Sequence, residues 1–341
     1  MPEEKKHLPV DTDKALIIQT GAVGDCILTL PLAQKLKDCF NISTVQMLGK
    51  SAYIDYFPGR TAVDQIRDMD SVDLYKLFVR HEEFELEDGD LLIDAFADYK
   101  IIITFLGGDN SDFERNLTYT ANCSNPVDVW SFPLRPGSDY NGHLTNFYIE
   151  TLADIAQINR PQHHCKQSYI QPTASDINSG KKLLEFFRVD TSGPLVIIQP
   201  GSGGVEKCWH IDNFYALAEV LSEKGFKPLF LLGPAEMERF KKTMIDRLAV
   251  MAGVVSELSL AETFQLLCVA DCFVGNDSGI THMAASASVP TVACFGPTDP
   301  AIYAPLGPKT EIAKFAPAEF ASPMPEAVED ICRKVEQFLT S

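Results

Sequence analysis

No apolar run in this chain reaches the roughly 18–20 residues that a membrane-crossing helix needs, so no spanning segment is expected. Basic residues are scarce: 29 Lys and Arg stand against 47 Asp and Glu, a formal net charge of −18. A surface this acidic repels nucleic acid and anionic headgroups within a Debye length, which excludes a nucleic-acid-binding protein but leaves room for a small basic pocket. Nine cysteines are present and none forms a CxxC pair. Their scatter argues against a zinc or disulfide framework. Cys26, Cys268, Cys272 and Cys294 lie in apolar runs and are expected as buried thiols in a reducing compartment. Residues 1–14 lack the apolar stretch of a signal peptide, so a cytoplasmic location is expected, with at most peripheral contact at the cytoplasmic face of the inner membrane. Low-complexity tracts and short-period repeats are also missing.

What is present is a globular composition, 45% hydrophobic and 22% charged, over 341 residues. That length suggests two domains rather than one core. Residues 1–170 carry 15 basic against 26 acidic side chains and the remainder 14 against 21, so both halves are acidic.

Strand and helix patterns alternate along the chain. Ala15–Gln19 reads as a short strand, residues 26–40 as a helix and Thr44–Leu48 as a second strand. Apolar runs follow at Leu91–Phe96 and Ile101–Phe105. Periodicity fades from Asn110 to about Gly142, where loops and short elements are expected, and a helix resumes over 143–158. Gln171-Pro172-Thr173 is a plausible hinge, followed by a helix over 175–187 with Ser175 as its N-cap. A second series then begins. Its strands are 195–199, 228–232, 272–275 and 291–295, with 254–258 weaker, and its helices are 211–225, 236–251, 261–270 and a terminal amphipathic helix over 325–339. Such alternation is the pattern of parallel sheets covered on both faces, and ligands then bind beyond the carboxyl ends of the strands.

Three loops at strand ends carry chemistry. Phe273-Val274-Gly275-Asn276-Asp277-Ser278-Gly279 ends a strand and opens a helix of small residues. The helix start offers unbonded N–H groups and the positive end of a dipole, which attract phosphate, and Asp277 and His282 add polar side chains beside it. Pro200-Gly201-Ser202-Gly203-Gly204, with Lys207 and Trp209 close behind, can form an N–H nest for a diphosphate. Thr20-Gly21-Ala22-Val23-Gly24-Asp25 lets the backbone approach a ligand; on spacing alone Asp25 is first a helix cap, and the Gly-Lys-Ser/Thr ending of a P-loop is missing. Phe295-Gly296-Pro297-Thr298-Asp299-Pro300 adds a rigid loop after the next strand. The bland readings are a plain turn at Asp277-Ser278-Gly279 and a satisfied core histidine at His282. Convergence of several loops on one sheet edge favours a site for a nucleotide-sugar.

In this order, Gly24-Asp25-x3-Thr29-Leu30-Pro31, Pro200-Gly201-Ser202-Gly203 with Lys207 and Trp209, Gly275-Asn276-Asp277-Ser278-Gly279-x2-His282, and Phe295-Gly296-Pro297-Thr298-Asp299-Pro300 resemble the signatures of glycosyltransferase family 9, the ADP-heptose:lipopolysaccharide heptosyltransferases. The resemblance implies an α/β chain of GT-B fold, with two Rossmann-like doubly wound domains facing across a cleft. Residues 1–170 would receive a glycan or glycolipid acceptor and 171–341 a nucleotide-sugar donor, the last helix packing back toward the N-terminal domain. It implies inverting transfer from an ADP-sugar without metal or other cofactor. Asp25 would be the catalytic base. Gly201, Ser202, Gly203, Lys207, Asp277, Ser278, Gly279, His282 and Thr298 would hold the phosphates and sugar, and Glu236 and Leu258 the nucleoside. The acidic run Asp109-Asn110-Ser111-Asp112 is expected as a loop, not a metal site. At Gln19 and Thr20 the chain departs from the family, which often carries Lys or Arg there. Two other readings remain open: a nucleotide-sugar epimerase of the same fold, and a nucleotide-sugar-binding protein without catalysis.

Overall fold

The computed structural model describes residues 13–108, 110–161 and 166–340. In chain order the elements are β1 (Lys14–Ile18), α1 (Val23–Leu28), α2 (Leu30–Phe40), β2 (Thr44–Gly49), α3 (Ser51–Ile54), β3 (Gln65–Asp68), α4 (Leu91–Phe96), β4 (Ile101–Thr104), α5 (Ser111–Ala121), β5 (Asp128–Ser131) and α6 (Leu144–Ala156). The chain continues through α7 (Ala174–Phe186), β6 (Leu195–Gln199), α8 (Ile211–Glu223), β7 (Lys227–Leu232), α9 (Pro234–Arg239), α10 (Lys242–Met251), β8 (Gly253–Ser256) and α11 (Leu260–Leu267). It ends with β9 (Cys272–Asn276), α12 (Gly279–Ser286), β10 (Thr291–Phe295), α13 (Pro300–Tyr303), β11 (Thr310–Lys314), α14 (Pro317–Phe320) and α15 (Pro325–Thr340).

These elements form two compact units. The first takes the described residues up to Gly21, then Thr29–Tyr140, then Thr145 onward to 161; the second takes Ala22–Leu28, Asn141–Leu144 and the described residues from 166 on. The first unit is built on a five-stranded parallel sheet ordered β3-β2-β1-β4-β5. Leu16, Ile18 and Ile102 on one sheet face pack against Leu92 and Phe96 of α4 and Phe113 and Leu117 of α5. The second unit is built on a six-stranded parallel sheet ordered β11-β10-β9-β6-β7-β8. Its central strands β6, β9 and β10 are buried along their whole length, as all-parallel strands covered on both faces must be. The order reverses between β6 and β9, so the crevice favoured for ligands lies beyond the carboxyl ends of those two strands. The terminal helix α15 buries Val328, Ile331, Cys332 and Val335 in the core of this second unit, with Leu217 and Leu221 of α8.

Several local expectations change. The helix over 26–40 is two helices, parted at Thr29, because Pro31 has no N–H for the carbonyl four residues back and its ring crowds that carbonyl. The apolar run Leu91–Phe96 is a helix, and Asp90 caps it by accepting the Leu92 N–H at 2.9 Å. The stretch from Asn110 is no loop: the Asn110 side chain accepts the N–H groups of Asp112 and Phe113, both at 3.0 Å, and starts α5. Asp109 lies outside the described residues. The cap of α7 is Thr173, not Ser175, in a reciprocal pair in which the Thr173 N–H donates to Asp176 at 2.8 Å. Residues 236–251 break into α9 and α10 at an extended Phe240 and Lys241.

Cys26, Cys272, Cys294 and Cys332 are buried, but Cys39 and Cys123 are at the surface and Cys208 and Cys268 are half-buried. Burial pushes the Cys26 and Cys272 thiols up to about 12, so both stay protonated and inert. Among the described residues no helix is long and apolar enough to cross a membrane, and no group of three or more His, Cys, Asp and Glu could hold a metal ion.

Candidate active site

The carboxyl edge of the six-stranded sheet gathers most of the residues singled out from the sequence. Thr298 follows β10, Asp277 and Ser278 follow β9, Gly201–Lys207 follow β6, Glu236 follows β7 and Leu258 follows β8. Three of these side chains meet. Nζ of Lys207 lies 2.8 Å from Oδ2 of Asp277, and Nε2 of His282 lies 3.7 Å from Oδ1 of the same carboxylate. Asp277 is only 7% exposed. Burial alone would raise its pKa, but the His282 imidazole and then the Lys207 ammonium outweigh that and hold it well below the ordinary carboxylate range. Asp277 is thus an anion that orients the Lys207 ammonium and the His282 ring at the start of α12. The Nδ1 atom of His282 is buried without a hydrogen-bond partner, which leaves a polar group to be satisfied at this point.

Ser278 is the N-cap of α12: its Oγ accepts the Thr281 N–H at 3.3 Å and donates to Oε1 of Gln199 at 2.9 Å. The first-turn N–H groups of this helix therefore stand at the end of β9, beside the Asp277 cluster, and supply the partial positive charge that an anion seeks. Ser202 Oγ donates to the Asp277 carbonyl at 2.6 Å, which ties the glycine loop after β6 to the loop after β9.

Two further residues hold this arrangement. Asn276, fully buried, donates through Nδ2 to the carbonyls of Pro200 at 2.9 Å and Gly201 at 3.2 Å, and its Oδ1 accepts the Trp209 N–H at 2.9 Å. Arg239 of α9 donates to the carbonyls of Ser202 at 2.8 Å and Gly203 at 2.6 Å. The carbonyls of Pro200, Gly201, Ser202 and Gly203 are thus all occupied by side-chain donors. Gly201 must be glycine because a Cβ there would collide with the Glu236 carboxylate, whereas a Cβ at Gly203 would meet nothing within 4 Å.

Glu236 is 2% exposed and bonded at both oxygens, to Gln199 Nε2 at 3.2 Å and to the Gly233 N–H at 2.9 Å. Leu258 is half-buried, in the loop between β8 and α11. Thr298 has a buried Oγ without a partner, and its carbonyl accepts Nζ of Lys314 at 2.7 Å. Neither Leu258 nor Thr298 touches the Lys207–Asp277–His282 cluster through a hydrogen bond or ion pair among the described contacts.

Asp25 sits on α1, which belongs to the second unit. A Cβ on Gly24 would lie 3.2 Å from Cδ2 of His282, and one on Gly279 would lie 2.7 Å from Cβ of Val23, so glycines on both helices let α1 and α12 approach closely. Oδ2 of Asp25 accepts the Ala22 N–H at 3.1 Å; Asp25 is the third residue of α1, reaching back to the chain before the helix, and not the N-cap that the spacing suggested. The residue directly before Asp25 is therefore in contact range of the His282 ring.

Gln199, Asn276, Arg239 and Lys314 were not singled out from the sequence. Asn276 stands inside a motif that was read for its neighbours. Arg239 and Lys314 lie far along the chain from the loops they brace, and nothing in the spacing announces them.

Residues 141–323 match the sequence profile of glycosyltransferase family 9 (heptosyltransferase). The chain is 28% identical over 116 residues to lipopolysaccharide heptosyltransferase 3 of Escherichia coli K12, covering 32% of this chain and 33% of that protein. It is 29% identical over 193 residues to lipooligosaccharide heptosyltransferase 2 of Haemophilus ducreyi, covering 53% of this chain and 55% of that one. The matches thus span between a third and about half of the length of these curated relatives. The solved structure of Escherichia coli ADP-heptose lipopolysaccharide heptosyltransferase II superposes with a TM-score of 0.70 at 17% identity, over 95% of this chain and 99% of that one. Two parallel α/β units of this kind are the GT-B architecture. The chain belongs to glycosyltransferase family 9, the heptosyltransferases.

Proposed function

We propose that this enzyme moves heptose, with inversion and without a metal, from ADP-heptose to a lipopolysaccharide-core or related bacterial glycan acceptor. The observation that carries the reading is the Lys207–Asp277–His282 cluster at the start of α12, on the switch point between β6 and β9. The diphosphate lies on the N–H groups of Gly201, Ser202 and Gly203 and of Ser278 and Gly279. Lys207 neutralises its charge, His282 and Thr298 take sugar or phosphate oxygens, and Glu236 and Leu258 border the nucleoside. Asp25 accepts the proton of the acceptor hydroxyl as that oxygen attacks the anomeric carbon. The bond from that carbon to the β-phosphate oxygen breaks on the opposite side, and its electron pair leaves on ADP. Lys207 and the helix amides stabilise the departing charge, which is where such groups lower a barrier most. The acceptor is met at the cytoplasmic face of the inner membrane.

A thermal-shift series with ADP, UDP and GDP tests the donor side, because a ligand that binds only the native state raises its apparent stability. ADP should raise the transition and the other two should not. Stabilisation by UDP alone would favour the epimerase reading. On the acceptor side, Asp25→Ala should abolish heptose transfer with ADP binding retained; full turnover by that variant would remove Asp25 from the base role. Donor binding without transfer to any extracted glycan would support the non-catalytic reading.

A further inference from the structure

Gln19 directly follows β1 and is fully buried. A buried amide is costly unless both its ends are bonded. Here both are: Nε2 donates to Oγ1 of Thr29 at 3.0 Å, and Oε1 accepts the Gly21 N–H at 3.0 Å. The Gln19 backbone N–H donates in turn to the Leu48 carbonyl at 2.9 Å, so the residue is fixed to the sheet. Gly21 and Thr29 are the residues of the first unit that flank Ala22–Leu28, the seven-residue segment grouped with the second unit. One side chain therefore grips both ends of the segment that carries Asp25. Inside the segment, the Ala22 N–H next to the gripped Gly21 donates to Oδ2 of Asp25 at 3.1 Å, and the Ala22 carbonyl accepts the Cys26 N–H at 3.0 Å.

We propose that Gln19 is a positioning residue of the transfer reaction, aiming the Asp25 carboxylate by clamping Gly21 and Thr29. The proposal rests on the reading of Asp25 as the base. A neutral amide suits the task in a way that a cation does not, since it offers one donor and one acceptor to two fixed partners. A lysine or arginine at this position has no acceptor for the Gly21 N–H. The clamp touches no donor-binding group, so it acts on the rate and not on donor affinity.

Release of ADP from ADP-heptose to water needs no acceptor and reads the aim of Asp25 on a water molecule. Gln19→Met keeps the volume and removes both bonds. Its rate of ADP release should fall about 10- to 100-fold, with the Kd for ADP-heptose unchanged. Thr29→Val, which removes one bond, should fall between. Gln19→Glu should recover most of the rate, because its carboxyl still accepts from Gly21 and can take the Thr29 hydroxyl as donor. Amide exchange at Gly21 and Ala22 should quicken in Gln19→Met, with the rest of the protein unchanged. A Gln19→Met variant with the wild-type rate, or one losing affinity in step with rate, would overturn the proposal. If the wild-type chain releases no ADP, the proposed donor chemistry fails instead. Amide exchange then decides the clamp alone, and unaltered protection at Gly21 and Ala22 refutes it.

Discussion

The two sheets end in different kinds of polar structure. After β6 and β9 the loops are joined by charge: Lys207 and His282 each lie within ion-pair distance of the Asp277 carboxylate, and Asn276 and Arg239 hold the surrounding backbone. After β1 the corresponding loop is joined by a neutral amide, with Gln19 bonded to Gly21 and Thr29. A prebuilt charge cluster suits an anion whose charge grows as the sugar leaves. A neutral clamp suits a carboxylate whose direction matters more than the field around it. On the proposed reading, binding falls to one edge and aim to the other.

The largest effect should come from the charged edge. Lys207→Met removes a charged hydrogen-bond donor and should weaken ADP binding by about 2 kcal/mol, on the order of 30-fold in Kd, by titration calorimetry. An unchanged Kd would erase the distinction between the two edges. Next, Asn276→Ala strips the bonds to Pro200, Gly201 and Trp209 and should lower unfolding free energy by about 1–3 kcal/mol in urea. Gly201→Ala should destabilise by about 1–3 kcal/mol through its clash with Glu236, while Gly203→Ala should stay within about 0.5 kcal/mol of the parent. Equal effects at the two glycines would mean that Glu236 does not shape the loop. The smallest effect concerns acid. Because the native pKa of Asp277 is lowered, its contribution to stability is complete above the ordinary carboxylate value of about 4 and is lost only as pH falls through the lower native value. In Lys207→Met the loss should begin at higher pH, visible as a shift in the pH dependence of the urea midpoint.

Much of the second unit was legible in the sequence because its strands are short apolar runs that stop at glycine or asparagine. Leu195–Gln199, Cys272–Asn276 and Thr291–Phe295 are found within a residue of their expected bounds. The first unit was harder to read. Its edge strands β3 and β5 have four residues each and are only half-buried, so no apolar run marks them. Helix α5 hides behind Asn, Ser and Thr, with Phe113 and Leu117 as its buried anchors. At the site, the residues proposed to meet the donor follow strand ends and could be named from local pattern. Their supports could not: Arg239 reaches back 36 residues to Gly203 and Lys314 reaches 16 to Thr298. Asp25 shows why both a cap and a base were readable there, since a carboxylate on the third residue of a helix serves the first role by geometry and leaves the second to chemistry.

A crystal structure of the enzyme with ADP bound tests the central claim most directly. The diphosphate should rest on the amides of Gly201–Gly203 and Ser278–Gly279, with Lys207 on its oxygens. A diphosphate bound at any other edge of either sheet, with Lys207 still held only by Asp277, would contradict it.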